Sequence, residues 1–258
     1  MRPIALITGA SSGIGAEFAK QLAARGYDLI LVARRAERLA NLAAALPAEC
    51  EALPADLSDG HDVGRVAERL RDEPRLEMLV NNAGFGTKGR FWEAPLDTQR
   101  GMHALHVNAT VDLTHAALAN MVARGRGAVI NVASVAAFSR SQSNVSYCAT
   151  KAWMLAFTEG LALELRGSGS AVRVQALCPG FTYSEFHDTM GVSRERIPRA
   201  LWMSAEDVVG ESLRGLDADR VVVIPGWKYR LFVSVFRRLP HAVQMALQQR
   251  APHTRGRV

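Results

Sequence analysis

The sequence predicts one doubly wound α/β domain, a seven-stranded parallel sheet with helices on both faces. Apolar runs of strand length alternate with longer segments of helical period over residues 1–226. Most of the runs are continuously apolar, as expected for parallel strands that are covered on both faces. No linker rich in Pro, Gly or Ser divides the chain and no internal repeat is present, which favours a single domain.

The elements follow in a regular order, beginning with the strand IALIT, which ends at a glycine-rich turn. We predict the strands at residues 4–8, 28–33, 50–54, 78–82, 128–134, 172–178 and 220–226. Each connection between them has helical period. We predict these helices at about residues 13–25, 35–45, 60–72, 96–124, 144–166 and 204–215.

Residues 181–203, which we call the lid, follow the sixth strand and fit neither period. Ligands bind at the carboxyl ends of the strands in sheets of this kind, so we expect this segment to cover a site. The alternative is a surface excursion without a role.

Composition narrows the class of protein further. The 258 residues are 48% hydrophobic and 7% aromatic, which excludes disordered and fibrous chains. The first apolar run stops at Gly9, too short to span a membrane and without a cleavage site, so we expect a cytoplasmic protein. Cys50, Cys148 and Cys178 have no CxxC spacing and are expected to be buried free thiols.

The positive charge of the chain is concentrated in a C-terminal extension, residues 227–258. This extension carries all seven basic residues that follow Gly226 and no acidic one, so the main body is nearly neutral. One helical stripe in it is apolar and consists of Leu231, Phe232, Val235, Phe236 and Leu239. We expect the stripe to pack on a second subunit or to close a pocket; peripheral contact with an anionic membrane is the alternative. The sequence does not indicate a groove of aromatic and basic residues, so we do not expect binding to nucleic acid.

The turn after the first strand reads TGASSGIG, with glycines at positions 9, 13 and 15. Glycine allows the tight strand-to-helix turn, and a pyrophosphate reaches the helix N-terminus only where no Cβ blocks it. Its place between a predicted strand and a predicted helix indicates a dinucleotide site.

The run YCATK places the Tyr147 hydroxyl and the Lys151 amine four residues apart, on one face of a predicted helix. Together with the glycine turn, NNAG at 81–84, Asn108, Ser134 and PG at 179–180, this pattern resembles the short-chain dehydrogenase/reductase family. The resemblance covers residues 4 to about 225 and implies a Rossmann fold. It also implies a nicotinamide cofactor and usually a homodimer or homotetramer that forms through the fourth and fifth helices.

Carried over position by position, the resemblance implies a set of cofactor contacts. They are Gly9, Ser11, Ser12, Gly13, Ile14, Gly15, Arg34, Arg35, Asp56, Leu57, Asn82, Ala83, Gly84, Tyr147, Lys151, Pro179, Gly180 and Thr182. Where related NAD enzymes place an acidic residue after the second strand, this chain has Arg34 and Arg35. A guanidinium binds a 2′-phosphate, so we expect NADP(H) with Arg34 as the main contact. The alternative is that both arginines begin a solvated helix.

The same resemblance implies the catalytic residues Asn108, Ser134, Tyr147 and Lys151. Tyr147 would be the general acid or base, and Lys151, with the positive charge of oxidised nicotinamide, would favour the phenolate and lower its pKa. Ser134 would donate to the substrate oxygen, and Asn108 would hold a water that relays protons to Lys151. A capping or kink role is the alternative for Asn108.

Apolar and aromatic side chains are expected to surround the substrate, beside Ser134 and Tyr147. They are Phe85, Phe138, Phe181, Tyr183 and Phe186, with Ser141, Met190 and Trp202 as further candidates. This lining favours a ketone or secondary alcohol on a hydrophobic body. The aromatic residues of the lid can equally pack on the protein itself.

The alternatives to a carbonyl reductase are a binding protein that senses NADP(H) without turnover and a lipid ketoacyl reductase at a membrane surface. An extended-type epimerase also uses Tyr-x-x-x-Lys, but its glycine spacing and longer substrate domain are absent. His103, His106 and His115 lack a nearby carboxylate or Cys to complete a ligand set, so no metal is expected.

Overall fold

A computed structural model of the chain describes residues 1–87, 89–185 and 197–250. Its centre is a seven-stranded parallel sheet in the order β3-β2-β1-β4-β5-β6-β7. The strands are β1 (Ile4–Thr8), β2 (Asp28–Ala33), β3 (Cys50–Pro54), β4 (Leu76–Asn81), β5 (Ala128–Val132), β6 (Arg173–Leu177) and β7 (Val222–Val223). The order reverses between β1 and β4, where a doubly wound sheet forms its ligand crevice.

Helices connect the strands. They are α1 (Gly13–Ala24), α2 (Ala36–Ala45), α3 (Gly60–Arg71), α4 (Leu96–His103), α5 (Ala109–Arg124), α6 (Val145–Gly167), α7 (Ala205–Asp217), α8 (Trp227–Arg238) and α9 (His241–Arg250). A π-helical turn, Ala104–Asn108, joins α4 to α5, and short 3₁₀ turns lie at Val135–Phe138 and Arg199–Leu201.

Two apolar layers cover the sheet. On one face, Phe18 of α1 and Leu213 of α7 pack against the strands, together with Leu39 of α2. On the other face, Leu70 of α3 and Leu113 of α5 pack, together with the apolar side of α6. The predicted doubly wound sheet with helices on both faces is therefore confirmed.

Several predicted boundaries were wrong. The predicted fifth strand, 128–134, ends at Val132, because Ser134 caps the following 3₁₀ turn through the Ala136 N–H. The predicted helix 96–124 is divided by the π-helical turn, and only two residues of the predicted seventh strand pair with β6.

A buried polar network crosses the sheet at β4 and β5. The Asn81 amide donates to Thr114 at 3.0 Å and to Asn131 at 2.9 Å, and the Asn131 amide donates to Thr158 at 2.9 Å. These groups are buried and hydrogen-bonded, so they tie β4 and β5 to α5 and α6 without an unsatisfied amide donor. Helix α6, which carries Tyr147 and Lys151, is thereby fixed to the sheet.

Candidate active site

The glycine turn is held tightly against the end of β4. Gly9 has φ +65°, and a Cβ there would lie 2.8 Å from the Asn82 amide nitrogen and 2.9 Å from the Ala83 Cα. A Cβ on Gly15 would lie 2.3 Å from the Gly9 carbonyl oxygen. The Asn82 amide donates to the Thr8 carbonyl at 2.9 Å, so any larger residue would push the turn away from β4.

The N-terminus of α1 points out of this turn with its backbone donors uncapped. Its N-cap residue, Ser12, makes no side-chain cap hydrogen bond, and the first turn of the helix has no acidic residue. The N–H groups there and the positive end of the helix dipole suit an anionic group. The turn therefore fits the pyrophosphate of a dinucleotide.

Arg35 lies beside the glycine turn. Its guanidinium donates to the Ser11 hydroxyl at 2.9 Å, to the Ser12 hydroxyl at 3.0 Å and to the Glu185 carboxylate at 2.9 Å. Arg38 donates to the same carboxylate at 2.5 Å. These hydrogen bonds from Arg38 and Arg35 lower the pKa of Glu185 to about 2, so an anion of the chain itself lies between the two arginines.

Arg34 is placed differently. Its side chain is 74% exposed, and its guanidinium lies 3.9 Å from the Asp56 carboxylate. Hydrogen bonds from Ser58 and the charge of Arg34 hold the pKa of Asp56 below its usual range. The side chain of Leu57 is buried in the core, and its predicted contact with the cofactor stays a prediction.

Tyr147 and Lys151 share one face of α6, and the Lys151 ammonium lies 5.9 Å from the centroid of the Tyr147 ring. The Lys151 Nζ donates to the Val132 carbonyl at 2.8 Å, and Lys151 is buried. Burial lowers the pKa of Lys151 to about 7. Burial also raises the pKa of Tyr147 to about 12, although a hydrogen bond from Ser134 acts in the opposite direction.

In the protein alone the pKa of Tyr147 is therefore raised, whereas the expectation of a lowered pKa includes the charge of oxidised nicotinamide and stays a prediction. The loss of water around the phenolate outweighs the favourable hydrogen bond from Ser134. Tyr147 is consequently a neutral phenol at physiological pH, with a proton to donate.

Ser134 lies directly after the end of β5. Its hydroxyl accepts from the Ala136 N–H at 3.1 Å and lies 3.5 Å from the Pro179 carbonyl, which fixes its oxygen next to Tyr147. Because β5 is central and α6 follows it in the chain, two neighbouring elements bring the serine and the tyrosine together.

The last of the four proposed catalytic residues lies on the π-helical turn between α4 and α5. Asn108 ends the π-helical turn and is exposed, and its side chain makes no hydrogen bond to the residues that the structure describes. Its proposed water-holding role stays a prediction. The side chain that this turn does bury is His106, two residues earlier.

The base of the lid is closed by backbone pairing. Thr182 pairs with Met203, and the Tyr183 N–H donates to the Met203 carbonyl at 3.0 Å. Phe181 and Tyr183 both pack on Trp202, with ring centroids 5.6 and 5.0 Å apart. These aromatic residues thus pack on one another, in agreement with the alternative that they pack on the protein itself.

The proposed substrate residues outside the lid lie on both sides of the site. Phe85 is half-buried with its ring 6.2 Å from that of His106, whereas the ring of Phe138 lies 5.5 Å beneath the Arg237 guanidinium. Phe186 and Met190 lie outside the described residues.

Gly180 makes contact with the C-terminal extension. A Cβ on this glycine would lie 2.1 Å from the ring of Tyr229, and the Tyr229 hydroxyl accepts from the Phe181 N–H at 3.0 Å and donates to the Leu201 carbonyl at 2.6 Å. Helix α8 therefore packs through Tyr229 on both ends of the lid.

The predicted apolar stripe of α8 lies next to this contact, and the expectation that it packs on a second subunit or closes a pocket stays a prediction. The buried face consists of Tyr229, Val233 and Phe236, whereas the predicted Leu231, Phe232 and Val235 are exposed. Apolar residues occur around most of this helix, and the notch at Gly180 determines which face is covered.

Among the described residues, one cluster offers three possible metal ligands within 4.8 Å of one another: Asp59, His61 and Asp62. The Asp59 carboxylate accepts from the N–H groups of His61 and Asp62 and so serves as the N-cap of α3. In the described part of the chain, no helix is long and apolar enough to cross a membrane.

Comparison with known proteins agrees with this geometry. The family model described as short chain dehydrogenase matches residues 3–194, which is most of the chain. The protein belongs to the short-chain dehydrogenase family. As a member of it, the chain is an oxidoreductase that acts on alcohol and carbonyl groups.

Named relatives match between 84% and 99% of the length of this short-chain dehydrogenase. It is 34% identical over 227 residues to 1-deoxy-11-beta-hydroxypentalenate dehydrogenase of Streptomyces exfoliatus, 84% of this chain and 80% of the relative. A short-chain dehydrogenase from Sphingobium yanoikuyae in complex with NADPH is 34% identical, with a TM-score of 0.83 and coverage of 99% and 98%. The bulky-bulky ketone specific alcohol dehydrogenase of Comamonas testosteroni is 29% identical, with a TM-score of 0.77 and coverage of 99% and 97%.

Sequence reasoning missed three features of this short-chain dehydrogenase: buried His106, the Glu185 carboxylate between two arginines, and Tyr229 on Gly180. His106 was considered only as a metal ligand. No local pattern marks Glu185 or Tyr229, because each acts through residues that are distant in sequence.

Proposed function

We propose that this short-chain dehydrogenase is an NADP(H)-dependent carbonyl reductase that interconverts a ketone and a secondary alcohol on a largely hydrophobic substrate. The observation that carries the proposal is the convergence of Tyr147, Ser134 and Lys151 at the carboxyl ends of the central strands, beside the glycine turn. A neutral phenol and a hydroxyl side by side suit a carbonyl oxygen that gains negative charge.

The choice of NADP(H) rests on the arginines at the end of β2. Arg35 presents its guanidinium next to the Ser11 and Ser12 hydroxyls, and with Arg38 it already binds a carboxylate. A 2′-phosphate is an anion, as this carboxylate is, and it has more acceptor oxygens for the two guanidinium groups. We assign the main phosphate contact to Arg35 and Arg38 in place of Arg34, which was expected from the sequence, and the exposed Arg34 becomes a further contact from the adenine side.

The nicotinamide cofactor supplies the hydride when it is bound. Tyr147 donates its phenolic proton to the substrate oxygen, and it holds this proton at neutral pH because its pKa is about 12. Ser134 donates a hydrogen bond to the same oxygen. Lys151, whose pKa is about 7, exists in both charged and neutral forms near neutrality and so returns a proton toward Tyr147.

The hydrophobic substrate is supported by the residues around the site and by the relatives. Phe85 lies beside the catalytic helix, and the lid begins with Phe181. Two relatives are named as dehydrogenases of 1-deoxy-11-beta-hydroxypentalenate and of bulky-bulky ketones. A ketone with bulky groups on both sides is therefore the substrate class that we propose.

Self-association through α5 and α6 accompanies this function. Exposed apolar side chains occur on both helices, among them Val111, Val122 and Leu163, which is 72% exposed. A second copy of the chain would cover them in a homodimer or homotetramer.

The test is an absorbance assay of NADPH and NADH oxidation with a panel of cyclic, aryl and long-chain ketones, and with acetone as the small control. We expect turnover of bulky ketones with NADPH, at least tenfold slower turnover with NADH, and none with acetone. Equal rates with the two cofactors would refute the NADP(H) preference, and absence of turnover across the panel would refute the substrate class.

A further inference from the structure

His106 is the most deeply buried histidine of the described residues, and it lies at the centre of the site. Its side chain is 0% exposed and projects from the π-helical turn between α4 and α5. A Cβ on Gly84 would lie 2.7 Å from the His106 Nε2 and 3.6 Å from the Lys151 Nζ, so the imidazole and the ammonium flank the same glycine. π-helical turns within α-helices occur frequently at functional sites.

Both ring nitrogens of His106 have partners, and these partners fix one tautomer. The Phe85 N–H lies 3.2 Å from Nε2, and a backbone N–H only donates, so Nε2 accepts. The proton of the neutral ring therefore resides on Nδ1, which donates to the Thr150 hydroxyl at 2.9 Å. The Thr150 hydroxyl in turn donates to the Tyr147 carbonyl at 3.1 Å.

The result is a directed chain of hydrogen bonds from the Gly84–Phe85 backbone to the turn of α6 that holds Tyr147 and Lys151. Each donor in the chain has one acceptor, and the ring of His106 packs edge-on to that of Tyr147 with centroids 6.0 Å apart. A charged imidazolium would place a second donor against the Phe85 N–H. Burial and the charge of Lys151 favour the neutral form, because both hold the pKa of His106 well below its usual value.

We propose that His106 is a positioning residue that fixes the Tyr147 and Lys151 side chains relative to the backbone of Gly84 and Phe85. The inference rests on the proposed function, since the Gly84–Phe85 segment is where the cofactor would lie and α6 carries the proton donor. A displacement of about 1 Å between reacting groups costs on the order of a hundredfold in rate, so a small rotation of α6 has a large effect.

Three substitutions separate the two hydrogen bonds. His106→Phe keeps a ring of similar size and removes both. His106→Gln places an amide oxygen near the position of Nε2 and keeps the acceptor for Phe85. His106→Asn places an amide N–H near Nδ1 and keeps the donor to Thr150. His103→Phe, at an exposed histidine one turn earlier, is the matched control.

For His106→Phe we expect kcat for ketone reduction to fall by about ten- to a hundredfold, with the Kd for NADPH, measured by cofactor fluorescence, changed by less than about threefold. Gln and Asn should each recover part of this loss, and the control should behave as wild type. Thr150→Val should cost a similar factor. The double variant His106→Phe/Thr150→Val should lose no more than the worse single variant, because both break the same chain.

A kcat within about threefold of wild type for His106→Phe would overturn the proposal. A fully additive double variant, or losses of kcat that follow the loss of thermal stability in all three variants, would do the same, because His106 would then be an ordinary core residue. Hydrogen exchange of the Phe85 amide provides a readout without turnover. Faster exchange in His106→Phe but not in His106→Gln supports the chain even if no ketone is reduced, and unchanged exchange refutes it.

Discussion

Replacing Glu185 by Gln should strengthen the binding of NADPH and leave the binding of NADH unchanged. In the structure the Glu185 carboxylate occupies the space between Arg35 and Arg38, at 2.9 and 2.5 Å, where we place the 2′-phosphate. The phosphate must displace this carboxylate before it binds both arginines. NADH has no group that competes for the same place.

The size of the effect follows from the exposure of these ion pairs. The side chains of Arg35, Arg38 and Glu185 are 43%, 48% and 45% exposed, so each pair contributes about 0.2 to 1 kcal/mol. Their sum of about 1 kcal/mol corresponds to about a fivefold change in Kd. Arg35→Gln, which removes a charged hydrogen-bond donor from the phosphate, should instead weaken NADPH by roughly ten- to a hundredfold.

Fluorescence titration with NADPH and NADH at low and moderate salt measures both affinities, and 2′,5′-ADP against 5′-AMP isolates the 2′-phosphate. Glu68→Gln, at an exposed carboxylate on α3, controls for the change in net charge. The gain should shrink as salt rises. An equal gain for NADPH and NADH, or no gain in Glu185→Gln, would refute competition at this site.

Three further predictions concern the packing at Gly180, the pKa of Lys151 and the oligomeric state. Gly180→Ala should destabilise the protein by about 1 to 3 kcal/mol in urea unfolding, because its Cβ would meet the Tyr229 ring at 2.1 Å. Gly160→Ala, on an exposed turn of α6 with open space around it, should stabilise by about 0.5 to 1 kcal/mol; equal effects would contradict the contact. Between pH 7 and 10.5 the unfolded state binds more protons at Lys151, whose folded pKa is about 7, so stability should rise by about 2 kcal/mol from pH 7 to pH 9. Lys151→Met should lose this rise, and its persistence in this variant would contradict the lowered pKa of Lys151. Leu163→Glu should lower the sedimentation coefficient to that of a smaller species, and an unchanged value would exclude this face of α6 from the oligomer.

Periodicity and local spacing predicted the main features of this chain. Apolar runs predicted the sheet because parallel strands have both faces covered, and the glycine turn, Ser134 and YCATK were visible because each is confined to a few consecutive residues. Each of these signals lies within a short stretch of the sequence, so it can be recognised without a structure.

The remaining features depend on contacts that no local pattern encodes. Glu185 pairs with Arg35 across 150 positions, and His106 was buried by a π-helical turn that rotates the helix after His103. Helix α8 is apolar around most of its surface, so only the notch at Gly180 selects Tyr229 as its buried residue. The raised pKa of Tyr147 in the protein alone has the same origin, because the degree of burial is a tertiary property.

The most direct test of the account compares the wild-type protein with Tyr147→Phe in single-turnover reduction of a bulky ketone by NADPH. The substitution removes only the hydroxyl, so the Kd for NADPH should stay within about threefold while the rate of hydride transfer falls by at least about a hundredfold. That result would identify Tyr147 as the proton donor of a carbonyl reductase. A variant that reduces the ketone at the wild-type rate would contradict the central claim.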